Sequence, residues 1–254
     1  MKVSLQSPFL RQVRLRADVA LPKEHPFDLP FLHEGFCVSF DRPVTIIAGD
    51  NGSGKSTLLE AIARHAGFGQ MGGSRDHAHA AAGSDGGLAS ALRFSWLPKV
   101  TSGFFFRAES FFGYSQWLDS MIDANPNMEA SYGSRRMLKQ SHGESFLALF
   151  ENRFGAGSRA FYVMDEPESA LSPRRQLRLL RLFERWTQSG KVQAIIATHS
   201  PILMAYPGAQ FLHLSGMSLG PADYRNVDQF RTLKEFLDDP DAAVRAALTE
   251  RTAH

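Results

Sequence analysis

Nine consecutive residues, Gly49 to Thr57, have the types and spacing that bind a nucleotide triphosphate. They satisfy the pattern GxxxxGK[ST] at every specified position. The glycines let backbone N–H groups converge on phosphate oxygens at the positive end of a helix. Lys55 is predicted to reach the β- and γ-phosphates, and the Ser56 hydroxyl to ligate Mg²⁺. The residues predicted to bind the nucleotide here are Gly49, Asp50, Asn51, Gly52, Ser53, Gly54, Lys55, Ser56 and Thr57.

The residues on either side of this loop supply the elements that must position it. Residues 43–48 form a short β-branched run, which predicts a strand, and residues 58–64 have a helix-like pattern. The alternative is a glycine turn without a ligand. Strand, loop and helix in this order favour the phosphate loop.

A second apolar run, residues 161–164, ends in Asp165, Glu166 and Pro167 and resembles a Walker B strand. A buried strand of this kind places Asp165 beside the phosphate loop, where its carboxylate can hold Mg²⁺ through water. Glu166 points elsewhere and is placed to orient or deprotonate the attacking water. The alternative is a strand that ends in a solvated acidic turn.

Two further segments carry polar residues of a different kind. Residues 141–145 read Ser-His-Gly-Glu-Ser and precede a helical-looking stretch, so a simple capping box is one interpretation. Residues 191–201 form a strand that ends in Thr-His-Ser-Pro. If that strand lies next to the phosphate-loop strand, the His199 imidazole is brought toward the γ-phosphate.

The order of these motifs resembles the ATP-binding-cassette (ABC) class. The match covers about residues 27–214 and is closest to stand-alone bacterial ATPases of ABC type that carry Ser-His-Gly-Glu instead of the transporters' Leu-Ser-Gly-Gly-Gln. RecF and SMC ATPases, and AAA-type proteins, are similar at a greater distance. The resemblance implies an α/β fold: a P-loop NTPase of ABC-ATPase type with a mostly parallel central sheet, an antiparallel strand-rich edge and a helical lobe that carries the signature motif.

The resemblance also implies roles for particular residues. Ser141, Gly143 and Glu144 match the signature that binds a γ-phosphate held by the opposite subunit, so a homodimer around ATP is expected. His199 looks like the switch histidine, and residues 168–173 are similar to the D-loop. ATP and Mg²⁺ are the implied substrate and cofactor.

Two departures from the class concern the metal and the base. Where a Q-loop glutamine is expected, Glu109 is the candidate metal ligand, with Gln116 a possible substitute and a plain helix start equally consistent. Phe27 is the best-placed aromatic residue for the adenine, although such a phenylalanine is more often part of a core.

Composition sets the outer limits. The chain has 254 residues, 43% hydrophobic and 21% charged, which suits one large α/β domain or a core with an inserted lobe. The motif order and the resemblance imply a single ABC-type domain with a core of about 1–106 and 151–225, a helical lobe of about 107–150 and C-terminal helices of about 226–254. A formal charge of +2 is too small to argue for nucleic acid. Cys37 is the only cysteine and is expected to be a small core residue. No stretch of 18 apolar residues occurs, so a cytoplasmic location is expected.

One helix carries a localised charge pattern. Four arginines recur at helical spacing on one face, which is either a solvated face or a surface for nucleic acid or an acidic protein partner: Arg174, Arg178, Arg181 and Arg185.

The favoured function is a stand-alone ATPase in DNA maintenance or genome defence. The nucleotide-binding subunit of a membrane transporter, with a membrane-protein partner, is the alternative, and a binding switch with negligible turnover is a third class.

Overall fold

A computed structural model describes residues 5–69, 87–108 and 158–249, together with residues 116, 120, 123, 147 and 151. The strands are β1 Leu10–Leu15, β2 Cys37–Ser39, β3 Val44–Gly49, β4 Leu92–Trp96, β5 Gly103–Arg107, β6 Ala160–Asp165, β7 Val192–Ala197, β8 Gln210–Ser215 and β9 Ser218–Pro221. The α-helices are α1 Lys55–Ala66, α2 Pro173–Ser189, α3 Pro201–Met204, α4 Asp228–Asp238 and α5 Pro240–Thr249. Short 3-10 helices are Leu88–Ser90, Pro167–Ala170 and Tyr224–Asn226.

The strands form two sheets. The larger has the order β5-β6-β7-β3-β8-β9, in which β9 pairs antiparallel with β8 and the other pairs are parallel. The smaller is an antiparallel sheet of order β2-β1-β4. The predicted α/β class, a mostly parallel sheet with an antiparallel strand-rich edge, is therefore confirmed.

Helices cover both faces of the larger sheet, which explains why its strands read as continuous apolar runs. Along β3, Val44 and Ile46 pack into the hydrophobic cluster that contains Trp186 of α2. Ile47, which points to the opposite face, packs into the cluster that contains Leu58 of α1. The strands β3, β6 and β7 have six residues each, and every one of these residues is buried. The central strands are thus held rigidly at the edge where the predicted site lies.

A buried polar side chain joins the N-terminal strand to the larger sheet. The Gln193 amide oxygen accepts hydrogen bonds from the backbone N–H groups of Phe9 and Leu10, both at 2.7 Å, and its Nε2 donates to the Leu10 carbonyl at 2.9 Å. Because the amide is satisfied within the core, its burial avoids the cost of an unpaired polar group.

Two expectations need comment. Cys37 is exposed rather than a core residue, because within the short strand β2 the neighbouring Val38 takes the inward-facing position. Residues 228–249 contain the helices α4 and α5, neither of which has a fully buried residue, and Phe230 is partly buried against the core. No helix in the described part of the chain is long and apolar enough to cross a bilayer.

His65, in the last turn of α1, makes stability sensitive to acid. Its ring stacks on Phe94 with centroids 3.9 Å apart, and burial, with a smaller effect of Lys99, lowers its pKa to about 4. In the unfolded chain His65 becomes protonated near pH 6.5, whereas in the folded chain it stays neutral down to about pH 4. The free energy of unfolding therefore decreases as the pH falls through this range. We expect the free energy of unfolding, measured in urea, to fall between pH 7.5 and pH 5. In His65→Phe this decrease should be about 1–2 kcal/mol smaller, after allowance for solvent screening. Equal losses in both proteins would contradict this assignment.

Candidate functional site

The loop between β3 and α1 is shaped by glycines in left-handed conformations. Gly54 has φ 97°, and a Cβ there would lie 2.7 Å from the Phe31 ring. Gly52 has φ 74°. A larger residue at position 54 would meet both backbone strain and a steric clash, which accounts for the glycine. The loop leads directly into α1, whose first residue is Lys55.

The Lys55 side chain folds back across this loop. Its Nζ donates hydrogen bonds to the carbonyl oxygens of Gly49 at 2.8 Å and Asp50 at 2.7 Å, and the residue is 4% exposed. Burial lowers the pKa of Lys55, while Glu166 and Asp165 act in the opposite direction. Both acceptors are neutral carbonyl groups, so these contacts leave the positive charge available to an anionic ligand.

Ser56 and Asp165 meet although 109 positions separate them in the chain. The Ser56 hydroxyl donates to Asp165 Oδ1 at 3.0 Å, since α1 starts beside the carboxyl end of β6. Arg107, at the end of β5, places its Nε 3.8 Å from Asp165 Oδ2 and also forms an ion pair with Glu60 of α1. Burial raises the pKa of Asp165 to about 6, and the contacts with Ser56 and Arg107 oppose this rise.

These two oxygen donors fit a Mg²⁺ ion. Mg²⁺ prefers hard oxygen ligands, and in nucleotide sites it takes one or two from the protein and others from phosphate and water. Asp165 is largely buried, and burial disfavours the charged form of its carboxylate. A cation bound beside it would stabilise that charged form. Within the described residues no group of three or more His, Cys, Asp or Glu side chains could hold a metal alone. A two-ligand site completed by substrate is consistent with both observations.

Glu166 leaves the strand in an unusual backbone conformation. Its φ is 49° and its ψ is 54°. Among the described residues it is the only one other than glycine that has a positive φ. Its N–H donates to the Ala197 carbonyl at 3.0 Å, and its Oε1 lies 3.6 Å from His199 Nε2. A left-handed residue here costs free energy, of order 1 kcal/mol or more.

His199 follows β7, the strand between β6 and β3. Burial and the nearby Lys55 lower the pKa of its imidazole, with Glu166 and Asp50 opposing them. The ring is therefore neutral at physiological pH, when it can both donate and accept a hydrogen bond. The structure thus brings the side chains of Lys55, Asp165, Glu166 and His199 to one edge of the larger sheet.

Two residues at this edge were not predicted as site residues. Glu168, which was interpreted only as part of a D-loop-like segment, accepts a hydrogen bond from the His199 N–H at 2.6 Å and another from the Thr198 side chain. Gln229 of α4 donates from Nε2 to the Gly49 carbonyl at 3.4 Å. The acid that directly follows Asp165-Glu166-Pro167 was a usable signal for Glu168, whereas nothing in the sequence pointed to Gln229.

Other predicted residues are placed differently or are not described. Ser141, Gly143, Glu144 and Glu109 lie outside the described residues. Gln116 is exposed, and Phe27 is partly buried against the hydrophobic cluster that includes Leu29 and Phe31. Ser53 keeps its Oγ buried with no hydrogen-bond partner among the described groups.

Comparisons with known proteins agree with this geometry at a coarse level. Residues 126–205 match a family model described as "AAA domain, putative AbiEii toxin, Type IV TA system", and residues 29–86 match a second model described as "AAA domain". The second range contains the phosphate loop, and the first contains Asp165, Glu166 and His199. No curated protein matches the chain.

The solved structures to which this chain is similar have low sequence identity to it. The SMC head domain from Thermotoga maritima is 18% identical, with 84% of this chain and 99% of that chain covered and a TM-score of 0.41. CbiO1 from Clostridium perfringens, described as part of the ABC transporter complex CbiONQ, is 16% identical, with 94% and 99% covered and a TM-score of 0.46. These similarities are too low to indicate a function. The two family models, taken with the loop and the acidic strand, support a P-loop, ATPase-like domain.

Proposed function

We propose that this chain binds ATP and hydrolyses it in the presence of Mg²⁺. The observation that carries the proposal is the convergence of a phosphate loop, a Ser56–Asp165 pair and a Glu166–His199 pair at the carboxyl ends of β3, β6 and β7. In open α/β sheets, ligands bind at this edge of the strands. The groups at the edge are those that phosphoryl transfer requires.

Each group has a role that follows from its position. Lys55 and the loop N–H groups hold the phosphate oxygens, and Ser56 and Asp165 hold Mg²⁺, which when bound neutralises charge on those oxygens. Glu166, with 43% of its side chain exposed, accepts a proton from the water that attacks the γ-phosphorus, and ADP leaves. The neutral His199 imidazole forms a hydrogen bond with the γ-phosphate and so senses its presence. Glu109 as a further metal ligand belongs to the same proposal.

The complete site is proposed to form between two copies of the chain. One copy contributes the phosphate loop, and the other contributes the signature residues Ser141, Gly143 and Glu144. ATP then closes a homodimer, and hydrolysis loosens it. The proposed division of the single domain is a core of about 1–106 and 151–225, a helical lobe of about 107–150 and C-terminal helices from about 226.

For the cellular role we favour a stand-alone ATPase in DNA maintenance or genome defence. Support comes from the Ser-His-Gly-Glu segment, from the lack of a Q-loop glutamine at the matching place, and from the description of one matching model as part of a toxin–antitoxin system. The alternative is the ATPase subunit of an ABC transporter. Co-purification separates the two, because a multi-spanning membrane protein would favour the transporter, and a nuclease or methylase the defence role.

The direct test of the proposed function is release of phosphate from ATP by the purified protein, with and without Mg²⁺. We expect slow turnover that requires Mg²⁺, because Asp165 and Ser56 together supply only part of the coordination and the phosphates supply more. Turnover that persists in excess chelator would contradict the metal role, and absence of turnover together with absence of ATP binding would contradict the whole proposal.

The arginine face of α2 allows a test for nucleic acid. All four arginines are exposed, although Arg178 also contacts Glu151 at 3.0 Å. If this face contacts a phosphate backbone, the affinity for a labelled DNA duplex should fall with salt with a log–log slope of about −0.9 per phosphate contacted. Arg174→Glu/Arg181→Glu should reduce both affinity and slope.

The smaller sheet offers a matched control for this measurement. Arg14 and Arg93 are exposed and lie opposite each other on β1 and β4. Their double replacement by glutamate changes the net charge by the same amount at a different surface. Equal losses of affinity in both double variants would show a general charge effect, and no binding at low salt would leave the α2 face as a solvated surface.

A further inference from the structure

The Glu168 side chain connects the turn after β6 with the turn after β7. Glu168 lies in the 3-10 helix Pro167–Ala170, which begins immediately after the proposed catalytic base Glu166. Its Oε1 accepts the His199 N–H at 2.6 Å, and the Thr198 side chain forms a second hydrogen bond with the same carboxylate. A single side chain therefore holds two consecutive residues of the turn that carries the imidazole.

Other contacts restrain the same turn on its remaining sides. The Thr198 N–H donates to the Ile47 carbonyl of β3 at 3.1 Å, and the Ser200 side chain accepts from Leu203 N in the first turn of α3. The His199 N–H itself points to Glu168. Because His199 lies between β7 and α3, outside regular structure, the position of its ring depends on these local hydrogen bonds.

A carboxylate at this position is costly if its function is only structural. Burial raises the pKa of Glu168, which means that the charged form is disfavoured there. Its second oxygen, Oε2, is buried with no hydrogen-bond partner in the described part of the chain. A glutamine could accept the same N–H without carrying a buried charge. The charge does have an effect in the site, because Glu168 is among the acids that raise the pKa of Lys55.

We propose that Glu168 is a positioning residue for the hydrolysis reaction, which anchors the backbone of His199 so that the imidazole lies beside Glu166. This inference rests on the proposed ATPase function. Under this proposal, the segment that follows Asp165-Glu166-Pro167 positions His199 of the same subunit, and this does not depend on a contact across a dimer. The Glu166–His199 distance of 3.6 Å is the geometry that the anchor maintains.

The test compares Glu168→Ala, His199→Ala and the double variant in ATP hydrolysis. Misplacement of a reacting group by about 1 Å can cost on the order of 100-fold in rate. We expect Glu168→Ala to lower kcat about 10- to 100-fold with less than about a 3-fold change in KM, since the contacts of the phosphate loop are untouched. In the double variant kcat should equal that of His199→Ala, because Glu168 acts through His199.

Two further variants separate positioning from folding. Glu168→Gln keeps an oxygen that can accept the His199 N–H but loses the charge that acts on Lys55, so it should restore most of kcat, to within about 5-fold of the wild-type value. Glu184→Ala removes a carboxylate from Tyr206, 2.8 Å from its hydroxyl, outside the proposed site, and should leave kcat unchanged. Wild-type kcat in Glu168→Ala, or an equal further loss when it is added to His199→Ala, would overturn the proposal.

A measurement without turnover tests the same contact. A short N–H···O hydrogen bond to a carboxylate shifts the amide proton downfield, so the NMR signal of the His199 amide should move upfield in Glu168→Ala and less in Glu168→Gln. If the wild-type protein lacks turnover, the proposed function fails while this comparison still reports on the anchor. An unchanged His199 amide signal in Glu168→Ala would overturn the anchor itself.

Discussion

Lys55→Ala is expected to lower ATP hydrolysis by at least about 100-fold, a loss typical of removing a preorganised group that stabilises charge in the transition state. The ammonium of Lys55 is already held at the loop by the carbonyl oxygens of Gly49 and Asp50, so little reorganisation is needed when phosphates arrive. Alanine removes both the charge and these contacts. Binding of ATP should weaken as well, which equilibrium titration with a fluorescent nucleotide will show.

The same variant should remain folded, which makes the result interpretable. Burial lowers the pKa of Lys55, so the buried ammonium does not stabilise the fold by virtue of its charge alone. Thermal unfolding of Lys55→Ala checks this point. Lys234→Ala provides the matched control, because Lys234 is an exposed lysine of α4 that pairs with Asp238. Undiminished turnover in Lys55→Ala, or an equal loss in Lys234→Ala, would remove the central claim of the proposed function.

The parts of the fold that the sequence predicted are those with both a strong local pattern and complete burial. The strands β3, β6 and β7 are apolar throughout because helices cover both faces of the sheet, and such runs are recognised without knowledge of the tertiary structure. The strand–loop–helix order around Gly49 to Thr57 predicted where Lys55 and Ser56 lie at the start of α1. Local pattern and tertiary packing agree there, and the prediction succeeds for that reason.

The features that the sequence did not predict depend on contacts between distant segments. Gln229 contacts Gly49 across 180 positions, and no periodicity encodes a hydrogen bond of that kind. The left-handed backbone of Glu166 could not be anticipated, since glutamate rarely adopts it and tertiary contacts hold it there. Cys37 was assigned to the core wrongly, because three residues of β2 are too few to show which face is inward.

The second large effect concerns assembly. Glu166→Gln is expected to trap an ATP-bound dimer, because the amide cannot accept the proton from the attacking water, while its size and shape are nearly unchanged. The backbone N–H of Glu166 donates to Ala197 and the side chain is 43% exposed, so the substitution should not disturb the fold. With ATP and Mg²⁺ at tens of micromolar protein, we expect a dimer mass in size-exclusion chromatography with light scattering.

Two variants in the Glu166→Gln background test whether the dimer forms around shared sites. The sequence contains one phosphate-loop pattern and one segment proposed as the signature, Ser141 to Ser145, so two copies would supply two of each and could complete two symmetric sites. Ser141→Arg should return the protein to a monomer by filling the space that faces the γ-phosphate, and Lys55→Ala should do so by weakening ATP binding. ATP then acts as a ligand that binds only the closed pair, so the dimer population should rise with ATP concentration. A Glu166→Gln protein that stays monomeric in saturating ATP, or a dimer that survives Ser141→Arg, would show that the site is not shared between subunits.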